Sequence, residues 1–443
     1  ISGWTCFPAR TISMTSRFWF LTYNIILIPL LSVVVKILAS YHSKINESIE
    51  KRKGLWERLE EAVSKRDWQK PLIWFHVASA GEFLQAQPLI VRCIAEGAEC
   101  AVTYSSVNAY HWLQRPDQTE TQNLLVTEFL PVDKIYNVRR LLGLLQPSRL
   151  VWVSYDLWPN LVWETYRQGI PQSLVSGIIH AGSLRTVNFI GRSFYHSLYE
   201  CLEHILTVSE ADSQRVLSAI PNHPLVKVMG DTRCDSVLER RDNIEIPQLP
   251  PAAKDSFVFV AGSTWPQDES CIFSGLQEAL NKFPELFLVL APHEPTEEHL
   301  KNAENFFSGT PMVLWSQVTA AALDVRILLI DSVGILAGLY HSAKMAYVGG
   351  AFTTGVHNIL EPVAMGAAVA FGPKHSNSME ALTMLEQKLA TTVNNSTEFR
   401  NWIFDSLGNQ EHCILLGRQS KKFVETQAGA ADLCTPFLMN GLS

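Results

Sequence analysis

Hydrophobic positions along this chain form two kinds of run. The first is one long block, Phe18 to Leu38, interrupted only by Thr22, Tyr23, Asn24, Pro29, Ser32 and Lys36. It is long enough to cross a bilayer core. No small-x-small cleavage site precedes the Lys44 to Lys53 region, which disfavours a signal peptide. Residues 18–40 are therefore expected to form a membrane anchor. Pro29 and Asn24 weaken a simple span, so a spanning helix and one lying in a single leaflet both fit. Residues 1–17 show no periodicity and are expected to be a disordered leader, with Met14 a candidate start. Beyond the anchor, Lys51-Arg52-Lys53 flank a helical pattern of Ile49, Leu55, Leu59 and Val63, and such charges tend to stay cytoplasmic. The bulk of the protein is expected on the cytosolic side.

The second kind of run is short and repeats. Past Pro71, candidate strands at Leu72–Val77, Cys100–Tyr104, Leu124–Phe129, Leu150–Val153, Gln172–Val175, His204–Val208 and Val226–Met229 alternate with helical patterns. That alternation predicts a parallel sheet with helices on both faces. Residues 241–254, rich in proline and charge, are expected to be a linker. The alternation then restarts at Phe257–Ala261, Leu286–Leu290, Met312–Leu314, Ile327–Ile330, Met345–Val348 and Ala368–Phe371. A closing helix near His412 to Ala428 is expected to pack back across the first domain. The expected plan is an α/β domain at 41–240, a second at 255–425 and a tail at 426–443: two doubly wound, Rossmann-like domains facing across a cleft. Nucleotide-sugar glycosyltransferases are often built this way, although layout alone does not fix chemistry.

Composition narrows the classes. The 443 residues suit two to three domains. A formal charge of −7, from 36 Lys+Arg and 43 Asp+Glu, argues against a dedicated nucleic-acid binder. The eight cysteines are scattered, without Cys-x-x-Cys or zinc spacing, and read as reduced core thiols. The thirteen histidines make no His-x-x-x-His pair around an acid, so no structural metal is indicated.

Candidate chemistry sits where strands hand over to helices. The strand at Trp74 to Val77 runs into Ala78-Ser79-Ala80-Gly81-Glu82, placing a carboxylate at the carboxyl end of a parallel strand, a good position for a base. Glu82 in a first helical turn also suits the helix dipole without any substrate. Asp156, in Val153-Ser-Tyr-Asp-Leu-Trp-Pro-Asn160, shares that rim if the strands are neighbours, and Trp158 reads as core before substrate platform. Arg233, after the last strand, could meet an anionic group. In the second domain Val348-Gly-Gly-Ala-Phe-Thr-Thr-Gly-Val-His-Asn-Ile-Leu-Glu-Pro362 ends a strand in two glycines and opens a helix. Its amides could hold phosphate and Glu361 a ribose diol, while the bland alternative has Asn358 merely capping the helix. Ala261-Gly-Ser-Thr-Trp265, Ala291-Pro-His-Glu-Pro295 and Asp331-Ser-Val-Gly334 are further strand-end loops. Gly-x-Gly-x-x-Gly and the Walker lysine loop are both missing, which disfavours dinucleotide and P-loop readings.

Together these pieces resemble the 3-deoxy-D-manno-octulosonic acid (Kdo) transferases of lipopolysaccharide synthesis. The likeness rests on an ordered set: the apolar anchor, His76-x-x-Ser79-x-Gly81-Glu82, Leu157-Trp-Pro-Asn160, Gly349-Gly350, His357-Asn-x-Leu-Glu-Pro362 and Phe371-Gly-Pro373. It implies a GT-B fold and transfer of Kdo from CMP-Kdo to a lipid A precursor (lipid IVA) at the cytoplasmic face of the inner membrane. It also implies an inverting reaction without metal or other cofactor. Glu82 would be the general base, assisted by Asp156 and Arg233, with Ser79 and Gly81 on the acceptor. Ser263, Thr264, Pro292, His293, Val333, Gly334, Ile335, Asn358, Ile359, Leu360 and Glu361 would line the donor site. Departures stand at Ser154, where the family has an acid, at His293-Glu294 for Arg-His, at Gly334-Ile335 for Gly-Glu, and at Arg233 for lysine. They leave a different activated sugar, or a non-catalytic relative, as alternatives. Arg139, Arg140, Arg185 and Arg192 are candidates for a basic surface toward lipid phosphates, with solvated charge the plain alternative.

Overall fold

Most of the short apolar runs become strands buried on both faces, the signature of a parallel sheet covered by helices, while the edge strands Val226–Val228 and Met312–Leu314 stay partly exposed. The computed structural model describes residues 10–114, 121–179, 188–221, 223, 225–318, 324–376 and 378–442; most of the expected leader and Arg185 lie outside them. The chain divides into two units, one running to Ser236 and taking up residues from Ala428 onward, the other Val237–Gln427.

In the first unit β1 (Leu72–Val77), β2 (Glu99–Tyr104), β3 (Val126–Phe129), β4 (Arg149–Val153), β5 (Gln172–Gly177), β6 (His204–Thr207) and β7 (Val226–Val228) pair in parallel in the order β3-β2-β1-β4-β5-β6-β7. The order reverses between β1 and β4, so connections leave those two strands in opposite directions and open a crevice at their carboxyl ends. In the second unit β8 (Phe257–Thr264), β9 (Leu286–Pro292), β10 (Met312–Leu314), β11 (Ile327–Leu329), β12 (Met345–Val348), β13 (Ala368–Phe371) and β14 (Ala390–Thr392) follow the order β10-β11-β9-β8-β12-β13-β14. Here the switch lies between β8 and β12. Both expected doubly wound sheets are present.

Several boundaries differ from expectation. Met14 to Arg17, assigned to the leader, begin a helix capped by the Ser13 hydroxyl. The expected linker is helical at its start, because helix Thr232–Asn243 continues through Arg241, which pairs with Asp242 and Glu425. The closing helix, Gln410–Gln427, stays in the second unit against helix Leu360–Met365. The segment that returns to the first unit is the supposed tail: helix Ala430–Met439 packs on helix Ala80–Ala95, and Asp235 accepts the Gly429 and Ala431 amides at its start. Pro436 inside that helix masks its pattern in the sequence. β14 was not expected, being three residues long, polar and at a sheet edge.

The long apolar block is helical from Met14 to Ala39, long and apolar enough to cross a membrane. Its first half is docked. Trp19 Nε1 donates to Ser193 Oγ (3.0 Å), Tyr23 Oη to Asp133 Oδ2 (3.1 Å), and Asn24 exchanges two bonds with Asn160 (2.7 and 3.0 Å). The wide turn Tyr23–Leu27, in which Ile28 N–H reaches back to Tyr23 O, directly precedes Pro29. Ile25 and Ile26 within that turn, and Leu30, Leu31, Val33, Val35 and Ile37 past it, are exposed.

Candidate active site

The first-domain rim is built at the β1/β4 switch. β1 ends at Val77, and Ser79 caps the next helix by accepting the Glu82 amide (3.3 Å). That cap turns Glu82 back toward the strand end, where Ala78 N–H donates to its Oε2. Burial pushes the Glu82 carboxyl up to about 7; nearby Asp156 adds to this, while the Ala78 amide and Arg233 oppose it. Gly81 is exposed, and a Cβ there would meet only Ser79 Oγ at 3.8 Å, so packing does not demand a glycine.

β4 ends in Ser154, whose φ of +65° is a left-handed conformation uncommon outside glycine. Two residues on, Asp156 Oδ2 meets Trp158 Nε1 (3.1 Å), Ser105 Oγ (3.2 Å) and His76 Nε2 (3.4 Å). His76 is fully buried, with Nδ1 2.9 Å from Thr103 Oγ1, itself an acceptor for Trp74 Nε1 (2.8 Å). One assignment satisfies every atom: Thr103 donates to Nδ1, and Nε2–H, the Ser105 hydroxyl and the Trp158 indole all point at an ionised Asp156. Burial alone would raise the Asp156 carboxyl, but the bonds from His76, Trp158 and Ser105 outweigh it and hold it below the ordinary value. The same crevice thus contains one carboxyl tuned up and one tuned down, the arrangement that separates acid and base roles. Trp158, weighed as core, both packs on the core and serves Asp156.

Arg233 belongs to this rim through its electrostatic effect on Glu82. Asp231 holds it, accepting the Arg233 amide (2.9 Å) and lying 3.7 Å from Nε, while Gln85 Nε2 donates to Asp231 (3.1 Å). Asn160 of the Leu-Trp-Pro-Asn stretch is fully buried and does a different job. With Asp133 it ties the N-terminal helix to the sheet, its amide and side chain bonding to Asp133 (3.0 and 2.7 Å). Burial pushes the Asp133 carboxyl up to about 6 against those bonds.

The second-domain rim has another character. Ser263 is left-handed (φ +54°), and Gly349 lies so close that a Cβ would sit 2.2 Å from Ser263 O. Asp268 stitches β8 to β12, accepting the Trp265 amide (3.0 Å), the Gly350 amide (2.9 Å) and Tyr347 Oη (2.9 Å). Above this floor Trp265 stacks on His293 (4.7 Å) and His293 on His357 (4.4 Å), with Trp265 Nε1 donating to His357 Nε2 (3.1 Å). Burial, then His293, holds His357 down to about 4, keeping it neutral.

The expected donor residues divide accordingly. Ser263, Thr264, Pro292 and His293 meet at the β8 and β9 ends, where the His293 amide donates to Thr264 O (2.9 Å). Asn358 donates to Glu361 Oε1 (3.2 Å), as does Arg240 (3.1 Å), and burial raises the Glu361 carboxyl against both. Val333 and Gly334 are exposed past β11 and Ile335 half-buried. Thr264, Ile359 and Leu360 are buried, Thr264 Oγ1 donating to Glu269 (2.8 Å), so these three offer a ligand backbone only. Trp265, His357 and Ser105 are missing from the expected set. Trp265 and His357 adjoin expected residues in sequence, whereas Ser105 carries no signal beyond its place after β2. Among the described residues no three His, Cys, Asp or Glu side chains converge where an ion would sit.

Residues 48–236 match the family described as 3-deoxy-D-manno-octulosonic-acid transferase (kdotransferase). Over 365 residues the chain is 26% identical to the 3-deoxy-D-manno-octulosonic acid transferase of Chlamydia trachomatis serovar A, covering 81% of this chain and 83% of that one. It is 29% identical to the enzyme of the same name from Chlamydophila psittaci over 315 residues, 68% of this chain and 70% of that one. In three dimensions it is similar to UDP-GlcNAc 2-epimerase from Neisseria meningitidis bound to UDP-GlcNAc, with TM-score 0.56 and 14% identity over 81% of this chain and 99% of that one. That last likeness establishes the fold, GT-B.

Proposed function

We propose that this chain, whose residues 48–236 belong to the Kdo transferase family, moves Kdo from CMP-Kdo to a lipid A precursor, lipid IVA, with Glu82 as general base. The observation that carries the reading is the pairing at the β1/β4 switch of a buried, tuned-up Glu82 with an Asp156 held below its ordinary value by bonds from His76, Trp158 and Ser105. A base raised to about 7 takes a proton readily at neutral pH yet is ionised often enough to act.

In this mechanism an acceptor hydroxyl approaches over Ser79 and Gly81 and passes its proton to Glu82. The hydroxyl oxygen forms a bond to the anomeric carbon of Kdo from the face opposite the nucleotide, giving inversion. The bond between that carbon and the phosphate oxygen breaks, its electron pair leaving with CMP. Asp156 keeps the rim negative and Glu82 basic, and Arg233 is the cation at this rim for an anionic group. CMP departs already stabilised as a phosphate, so positioned donors can take the place of a metal.

For the donor, backbone groups of Ser263, Thr264, Pro292, Val333, Gly334, Ile335, Ile359 and Leu360 surround the rim, with His293, Asn358 and the second oxygen of Glu361 supplying side-chain contacts. His293 and Ile335, where the family has other residues, favour keeping a second reading: another activated sugar on the same rim. Competition by CMP against UDP separates the two.

We place the enzyme at the inner membrane through helix Met14–Ala39, with the domains cytoplasmic. Because the helix stays docked as far as Leu27 and Ile28, which pack on the domain's core, only Pro29 to Ala39 project. At 1.5 Å per residue that is about 16 Å, short of a ~30 Å hydrocarbon core, which favours a helix lying in one leaflet over a span. Detergent-solubilised protein with CMP-Kdo and a tetraacylated lipid A precursor should release CMP and add one Kdo mass to the lipid. Folded protein that does neither ends this reading.

A further inference from the structure

The basic triplet after the apolar helix does not all face solvent. Arg52 ends helix Ser43–Lys51 and turns its guanidinium inward, 4.4 Å over the buried Phe129 ring. Nη2 donates to Ser105 O (3.2 Å), Nε to Leu130 O (3.2 Å) and Nη1 to Ser48 O (2.9 Å). Ser105 and Leu130 are the first residues past β2 and β3. One rigid fork therefore spans two strand ends at the catalytic rim.

Ser105 is the residue whose hydroxyl bonds Asp156 (3.2 Å) and lies 3.2 Å from His76 Nε2. Its backbone is held on both sides, its amide by Val77 O (3.2 Å) and its carbonyl by Arg52. With both peptide groups fixed, Ser105 Cα and Cβ are placed so that one of the three staggered side-chain rotamers carries the hydroxyl to Asp156. We propose that Arg52 is a positioning residue: by clamping Ser105 and Leu130 it aims the Ser105 hydroxyl at Asp156 and so holds the acid beside Glu82 in its working place. The planar fork matters as well as the charge, because a lysine ammonium cannot reach two diverging carbonyls in this geometry.

This rests on the transferase reading above, and its test has one arm that needs no turnover. Arg52→Gln and Ser105→Ala should each lower kcat about ten-fold, the order of one charge-assisted hydrogen bond, with the KM for CMP-Kdo within about two-fold. The double variant should be no worse than either single one, because both remove the same aim. Ser105→Thr, which keeps the hydroxyl, should retain near-native kcat. Losses that multiply to about a hundred-fold in the double variant, or an Arg52→Gln enzyme with native kcat, would overturn the proposal. Should Arg52→Gln fail to fold, Arg52→Lys takes its place with the same expected loss. The turnover-free arm is a crystal structure of the Arg52 variant. Ser105 Oγ beyond hydrogen-bond reach of Asp156 supports the clamp, and an unmoved Ser105 refutes it even if the wild type transfers another sugar or none.

Discussion

The two sheets share a topology, yet their rims are made differently. At the β1/β4 switch the first domain gathers charge: Glu82 and Asp156, which accept hydrogen bonds from their neighbours, and Arg233, held by Asp231. At the β8/β12 switch the second domain gathers aromatic rings and bare backbone: Trp265, His293 and His357 above Gly349 and Gly350. In the proposed reading the first rim moves a proton and the second cradles the donor. On that reading side chains are tuned and glycine is optional where the proton moves, and glycine is structural where the donor binds.

The largest test of that contrast is Glu82→Gln, expected to cut kcat by about 10²- to 10⁴-fold. The wild-type kcat/KM should rise with pH and level off above about 7, where Glu82 is ionised. Stability runs the other way. The folded state holds the Glu82 proton more tightly than the unfolded chain, so stability falls as pH rises from 4.5 to about 7. Glu82→Gln should therefore melt no lower than wild type at pH 8, a point calorimetry decides.

Glycine substitutions sharpen the comparison next. Gly349→Ala forces a Cβ against the Ser263 carbonyl and should cost about 1–3 kcal/mol, a fall in melting temperature of several degrees. Gly81→Ala meets only an ordinary contact with Ser79 Oγ and should not lower the melting temperature while raising the acceptor KM, if the acceptor approaches there. Equal melting losses for both would erase the distinction between the rims.

The smallest expected effect is at the ring stack. Trp265→Phe keeps an aromatic face but removes the indole donor to His357. Calorimetric titration with CMP should show binding weakened by a few-fold, the order of one neutral hydrogen bond, with kcat little changed. A change in kcat without a change in CMP binding would move the ring stack from binding to catalysis.

How much of this was legible in the sequence depends on the kind of feature. Thirteen of the fourteen described strands stand out as short, mostly apolar runs between helical patterns, most of them buried on both faces; β14, short and polar at an edge, lacks that pattern. Glu82 and Asp156 are legible because both follow strong strands. Their partners are less so: Trp158 lies in the same turn as Asp156 and His76 in the same stretch as Glu82, but it is strand order, which local pattern does not carry, that brings His76 and Ser105 to the Asp156 oxygen. Asn160 shows the opposite failure. It stands in a motif expected to mark chemistry, yet it is buried between Asn24 and Asp133, where it fixes the N-terminal helix. Arg52 reads as a flanking charge because nothing in a basic triplet says which member faces Phe129.

The central claim is that Glu82 takes the acceptor proton. The most direct measurement is acceptor-dependent CMP release from CMP-Kdo by wild type and Glu82→Gln side by side, across pH 5 to 9 and with folding checked by melting. Release by the wild type that rises through about pH 7, and a folded Glu82→Gln protein that releases almost none at any pH, is the predicted result. A Glu82→Gln enzyme that keeps native release would contradict it and transfer the role of base elsewhere.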